Sequence, residues 1–205
     1  MNRKKDIDVK KNDDAFDEEH WLNLARKGEE SGWAELHKHY YHKLWRTVNQ
    51  IVKDEKVAED LVQESFMKAY RTLNKFRGQS TFSTWIYRIS VNQALDYLRK
   101  HNRRRKYLGL FPVKEDEDSL EHELVDTHTG FDAATGGETM QTIKKAFEQL
   151  PEDQRTVVEL RLVQGFSTEE TAKIIGCARG TVLSRLYYAC QKLKKVLKGV
   201  RDELK

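Results

Sequence analysis

Proline is scarce in this chain of 205 residues: Pro112 and Pro151 are the only two, so nothing interrupts a helix within residues 15–106. Long apolar runs are missing as well. No stretch approaches the roughly 18 apolar residues that a membrane span requires, and the opening MNRKKDIDVKKNDDAFDEEH lacks the apolar core of a secretory signal. A soluble, cytoplasmic protein without membrane insertion is expected. Cysteine is nearly absent too. Cys177 and Cys190 stand in helical sequence without a C-x-x-C pair or a Cys/His ligand set, which points to reduced, partly buried thiols rather than zinc or a disulfide framework. His37, His39 and His42 lie close together but do not share one helical face, and no carboxylate or Cys set completes a metal site. They read as surface polar residues. With no metal, cofactor or catalytic constellation indicated, an enzyme is not expected.

Hydrophobic residues make up 38% of the chain and charged residues 34%, a balance that suits two modest domains better than one large core. The charge is unevenly placed. Residues 15–106 hold 18 Lys and Arg against 12 Asp and Glu, net +6, and residues 139–205 hold 13 against 8, net +5. Between them, residues 107–138 hold one Lys against nine acids, net −8. Basic blocks favour phosphate, whereas an acidic strip is repelled by it and suits a basic protein surface.

Two-residue alternation is absent and helical spacing is frequent. Tyr41, Leu44, Trp45, Val48, Ile51 and Val52 form one apolar stripe, and Ala58, Leu61, Val62, Phe66, Ala69, Leu73 and Phe76 form a second. Trp85, Ile86, Ile89 and Leu98 give a third, with hydroxyls from Ser80 to Thr84 available to cap its start. An all-α protein is expected: two small helical domains joined by an acidic flexible linker. A disordered tail would cover residues 1–14, the first domain 15–106, the linker 107–138 and a four-helix second domain 139–205. The linker has few large apolar residues and ends near Gly136-Gly137. As a coil of 32 residues it would span roughly 30 Å, comparable with one turn of B-DNA at about 34 Å, and could hold two DNA readers on separate sites of one duplex.

In the second domain Pro151 suits the first turn of a helix and Gly165 its C-terminal cap, while Ser167 and Glu170 are spaced as a capping box. Ala172, Gly176 and Val182 then match the packing of a helix-turn-helix: a small residue for close crossing, Gly for the turn, and a β-branched residue to pack the second helix. That helix would meet the major groove with Arg179, Thr181, Ser184 and Arg185, leaving Ile174, Ile175 and Leu186 in the core. The stretch KFRGQSTFSTWIYRISVNQALDYLRKHNRRRK from residue 75 carries a loop, aromatics, an Asn and a cationic run, a combination suited to nucleic acid.

Taken together, VAEDLVQESFMKAYRTLNKFRGQSTFSTWIYRISVNQALDYLRK at 57–100 and the block from LPEDQRTVVELRLVQGFS at 150–195 resemble the bacterial extracytoplasmic-function sigma factors. The resemblance implies a dissociable subunit that gives core RNA polymerase its promoter specificity, recognises −35 and −10 elements and promotes melting and initiation. Asp60, Gln63 and Glu64 match the family's contact with core polymerase. Phe76, Ser80 and Asn92 would line a site for an extruded −10 base, with Trp85 and Tyr87 shaping the wall beside the melted strand; Trp85 could equally be core. Arg99, Arg103, Arg104 and Arg105 would hold phosphates, which position without specifying. Arg179, Thr181, Ser184, Arg185, Tyr187 and Tyr188 would read the −35 element. The linker would thread the exit channels for nascent RNA, and an anti-sigma factor is an expected partner. Leu183 and Tyr188 depart from the family by standing where cations are usual. A helix-turn-helix regulator acting without polymerase is the rival reading, though it leaves EDLVQESF and the aromatic loop without a task.

Overall fold

The computed structural model describes residues 16–107 and 145–203, except for the side chains of 102–107 and 196–203. The tail 1–14, nearly all of the linker, and the side chains of Arg103, Arg104 and Arg105 therefore lie outside the described residues. Among the described residues all regular structure is helical.

The first domain has four helices: α1 (Glu18–Arg26), α2 (Glu30–Val52), α3 (Glu55–Thr72) and α4 (Phe82–Tyr107). Local chemistry sets their ends. Asp17 accepts from the His20 amide at 3.0 Å and Asp54 from the Val57 amide at 3.0 Å, each satisfying a donor that the first turn leaves unpaired. Lys53 turns α2 into α3 with φ of 59°, the one positive φ at a non-glycine residue among those described. The second stripe leaves the helix earlier than its spacing suggests. After Thr72 the chain makes a 3-10 turn over Leu73–Lys75, and Phe76 is extended. Thr81 then caps α4, its hydroxyl accepting from the Thr84 amide at 3.1 Å.

At Gly32 the start of α2 lies directly against α1. A Cβ there would stand 2.7 Å from both Leu24 Cβ and Trp21 O, and closer still to the Ala25 amide nitrogen, so only glycine fits. The core beneath holds Leu36, Leu44, Val48, Ala58, Val62, Ala69, Ile86, Val91 and Ala94, all inaccessible to water.

The second domain begins with a helical turn over 145–148, then α5 (Glu152–Val158), α6 (Thr168–Ile175) and α7 (Arg179–Glu203). Its α5 does not run straight to a glycine cap. It widens into a π-turn over Glu159–Val163, with the Gln164 amide bonded to Glu159 O at 2.9 Å, before Gly165 reverses the chain at φ of 77°. The Ser167–Glu170 capping box forms, and Gly176 ends α6 at φ of 76°.

The two domains are packed together. Leu160, Phe166 and Ile174 of the second domain join the hydrophobic cluster of the first, while Leu150, Val158 and Ala189 form a smaller separate cluster. The expectation of two readers spaced along one duplex concerns the DNA-bound chain; in this structure, without DNA, the domains are closed on one another. The reason is chemical: the second domain carries apolar residues on two faces, and one face covers α2 and α4.

Candidate nucleic-acid interface

On α3, Asp60, Gln63 and Glu64 are exposed. Beside them Met67 and Tyr70 keep 50% and 61% of their surface in water, and a depression of about 420 Å³ is lined by Glu64, Met67, Lys68, Arg71, Thr72 and Gln93. The acidic and amide residues therefore border an apolar patch that sequence reasoning missed. Its signal was present: Met67 and Tyr70 fall between the buried positions Phe66, Ala69 and Leu73.

The loop from Phe76 to Thr81 and the start of α4 surround a pocket of about 350 Å³. Phe76, Ser80 and Trp85 all line it, with Trp85 half-buried and its ring centroid 5.0 Å from that of Phe76. Lys75, Arg77 and Arg88 from the first domain and Lys173 from α6 also line it, and all four are exposed. These cations were not singled out from the sequence, although Lys75 and Arg77 flank Phe76 directly. Asn92 does not line this pocket. It is half-buried on α4, one turn beyond Arg88. Arg99 is exposed and pairs with Asp96 at 2.7 Å.

Tyr87 stands elsewhere, and the closed arrangement covers it. Only 2% of its surface is accessible, its ring meets Phe166 edge-on at 4.7 Å, and its hydroxyl donates to Gln164 Oε1 at 2.8 Å. Gln164 Nε2 in turn donates to Glu159 Oε1 at 2.9 Å, which also accepts from Thr47 Oγ1 at 3.4 Å. Loss of water pushes the Tyr87 hydroxyl and the Glu159 carboxyl above their ordinary ranges. Further cross-domain bonds run from Arg155 Nη2 to Ile51 O at 3.3 Å and from Lys53 Nζ to Glu148 O at 2.6 Å.

In the helix-turn-helix, Val182 and Ile174 are fully buried and Ile175 and Leu186 are half-buried. Arg179 is exposed and pairs with Glu169 at 3.1 Å, while Arg185 reaches Asp153 at 2.9 Å. Thr181 and Ser184 are half-buried, the Ser184 hydroxyl donating to Thr181 O at 3.1 Å. Tyr187 and Tyr188 are exposed and meet edge-on at 5.5 Å. Leu183 is half-buried. His37 and His39, expected as surface residues, are instead half-buried against rings: His37 lies 4.4 Å from Phe66, and His39 stacks on Phe16 at 3.7 Å. Neighbours as distant as Phe66 on α3 and Phe16 ahead of α1 were not visible from the histidine spacing. Among the described residues no group of three His, Cys, Asp or Glu is placed to hold a metal, and no helix is long and apolar enough to cross a membrane.

One helical unit carrying an aromatic and cationic pocket, joined to a second that carries a helix-turn-helix, defines a two-domain helical reader of DNA. Residues 36–104 match the Sigma-70 region 2 family and residues 140–193 the Sigma-70 region 4 family. The RNA polymerase sigma-H factor of Pseudomonas aeruginosa is 35% identical over 184 residues, covering 89% of this chain and 94% of that protein. The ECF RNA polymerase sigma-E factor of Salmonella typhimurium is 38% identical over 175 residues, covering 82% and 87%. Among solved structures, the sigma factor RpoE of Bartonella quintana, in complex with the anti-sigma factor NepR, aligns with a TM-score of 0.61 at 27% identity. That alignment covers 80% of this chain and 96% of the neighbour. The chain belongs to the extracytoplasmic-function RNA polymerase sigma factors, whose two domains recognise promoter DNA and bring about transcription initiation. A regulator built on the second domain alone does not account for the first.

Proposed function

We propose that the loop before α4 reads the melted −10 strand, α7 reads the −35 element, and the exposed face of α3 docks on core RNA polymerase. The single observation that carries this reading is the pocket at Phe76, Ser80 and Trp85 with three cations of the same domain, Lys75, Arg77 and Arg88, at its rim. An extruded base needs an aromatic surface to stack on, which supplies about 1–3 kcal/mol per base; the phosphates on either side need cations. Opening costs a few kcal/mol for each unstacked base, so stacking of this size offsets a useful part of it. The chain performs no covalent chemistry of its own in this reading.

On α3, Asp60, Gln63 and Glu64 supply polar contacts and Met67 and Tyr70 the apolar centre of the polymerase contact, an arrangement usual for the middle and rim of a protein interface. In the second domain Arg179 and Arg185 are held by Glu169 and Asp153 and exchange those partners for DNA. Asn92 acts beyond the pocket, along the path of the strand, and Tyr87 joins the wall only once the domains separate. An anti-sigma partner fits the chain's likeness to a sigma factor solved with one. Permanganate footprinting of holoenzyme on a duplex promoter and on the same promoter pre-melted tests the −10 assignment. Trp85→Ala should impair opening of the duplex and occupancy of the pre-melted strand more than closed-complex formation; equal closed-complex loss would make Trp85 a packing residue only.

A further inference from the structure

Helix α1 lies outside the region 2 match, which begins at residue 36, and no motif in it was singled out. Two of its side chains nevertheless grip the two ends of the −10 loop. Arg26 Nη2 donates to the Phe76 carbonyl at 2.9 Å, with its guanidinium 5.3 Å from the Phe76 ring centroid. Glu18 Oε1 accepts from the Phe82 amide at 3.2 Å, and Glu18 Oε2 accepts from the Tyr40 hydroxyl. Phe76 opens the loop and Phe82 is the first residue of α4. Neither Glu18 nor Arg26 lines the pocket itself.

The chemistry suits a support. The Phe82 amide is one of the donors that a helix start leaves unpaired, and a carboxylate there is favoured by the helix dipole. Arg26 fixes the carbonyl and the ring of a residue that lines the pocket. Within the loop, Gly78 takes a φ of 70°, and Ser80 donates to the carbonyl of its neighbour, Thr81 O, at 3.2 Å. Fixing both ends thus removes freedom that base capture would otherwise have to remove. Leu22 and Ala25 bury α1 against the domain, and Gly32 allows the close approach that gives both side chains their reach.

We propose that α1 braces the −10 loop in its base-receiving shape, with Glu18 and Arg26 as positioning residues that set both affinity and base discrimination for the melted strand. The inference rests on the reading of this loop as the −10 reader. The test uses the full chain bound to core polymerase and a junction DNA with an unpaired non-template −10 strand, made with each of the four bases at the extruded position. Glu18→Ala and Arg26→Ala should each weaken junction binding about tenfold, the effect of one charge-assisted hydrogen bond. They should flatten the base preference while leaving core binding and duplex −35 binding unchanged. Glu18→Gln keeps an oxygen acceptor for the Phe82 amide and should restore the preference, which a general loss of folding would not allow.

Full base preference in both Ala variants, with preference lost in Ser80→Ala and Trp85→Ala, overturns the brace and leaves the loop reading standing. Preference retained in Ser80→Ala and Trp85→Ala removes the loop reading and the brace with it. If an Ala variant also loses core binding, Arg26→Met decides, because it keeps the apolar stem but removes both the donor to the Phe76 carbonyl and the charge over the ring. Flattened preference with intact core binding supports the brace; full preference overturns it.

Discussion

Gln164→Ala should loosen the closed arrangement and strengthen binding to a single-stranded −10 oligonucleotide. In the closed chain Gln164 accepts from Tyr87 and donates to Glu159, so truncation leaves a phenol and a carboxylate short of a partner in a dry interface. When the domains separate, water reaches both groups, and the loss therefore falls on the closed state alone. Tyr87 keeps its contact with Thr47, which puts the penalty at the low end for buried polar groups, about 1–2 kcal/mol. That shifts the closed-to-open ratio by about five- to thirtyfold. If only the open form presents Tyr87 to DNA, apparent affinity for the oligonucleotide rises by up to the same factor, until the open form dominates. Small-angle X-ray scattering reads the separation and fluorescence anisotropy reads the binding. A chain that expands without gaining affinity would refute the reasoning, because burial of Tyr87 would then not limit access to the strand.

The closed state should also respond to pH. Burial raises the Glu159 carboxyl, so the closed form holds its proton more tightly than the open form does. Closure is therefore strongest at and below the ordinary carboxylate range and weakens as pH rises through the raised value; scattering across that window should show expansion, and Glu159→Gln should flatten the curve. Gly32→Ala forces a Cβ into the α1 backbone, an overpacking cost of about 1–3 kcal/mol. Calorimetry should show a lower Tm, and junction binding should show the same lost base preference as Glu18→Ala; an unchanged Tm would mean that α1 is not seated as described. Leu183→Arg places a cation where the family usually has one and should steepen the salt dependence of −35 binding by about 0.9 in log–log slope. An unchanged slope would place residue 183 away from the phosphates.

Features governed by neighbours in the chain were legible from the residues. The Ser167–Glu170 box and the Gly176 turn form as their spacing indicates, because a cap needs only residues three or four apart. The stripe through Ala58, Val62, Phe66 and Ala69 is buried as its period requires. What could not be read depends on docking between distant elements. Ile174 looks like a core residue of its own domain, yet it joins the cluster of the first, as does Phe166. Tyr87 looks like a DNA-facing aromatic and is covered by Phe166 and Gln164. Likewise α1 offers too short a stripe to reveal that Glu18 and Arg26 meet positions 64 and 50 residues away.

Transcription reconstituted from core RNA polymerase, this chain and a pool of promoter sequences tests the central claim most directly. Transcripts mapped to their start sites should appear only when the chain is present. They should share a −35 and a −10 element, and they should fall sharply when Trp85→Ala replaces the native chain. Start sites that do not depend on the chain, together with tight sequence-specific duplex binding by the chain alone, would contradict it.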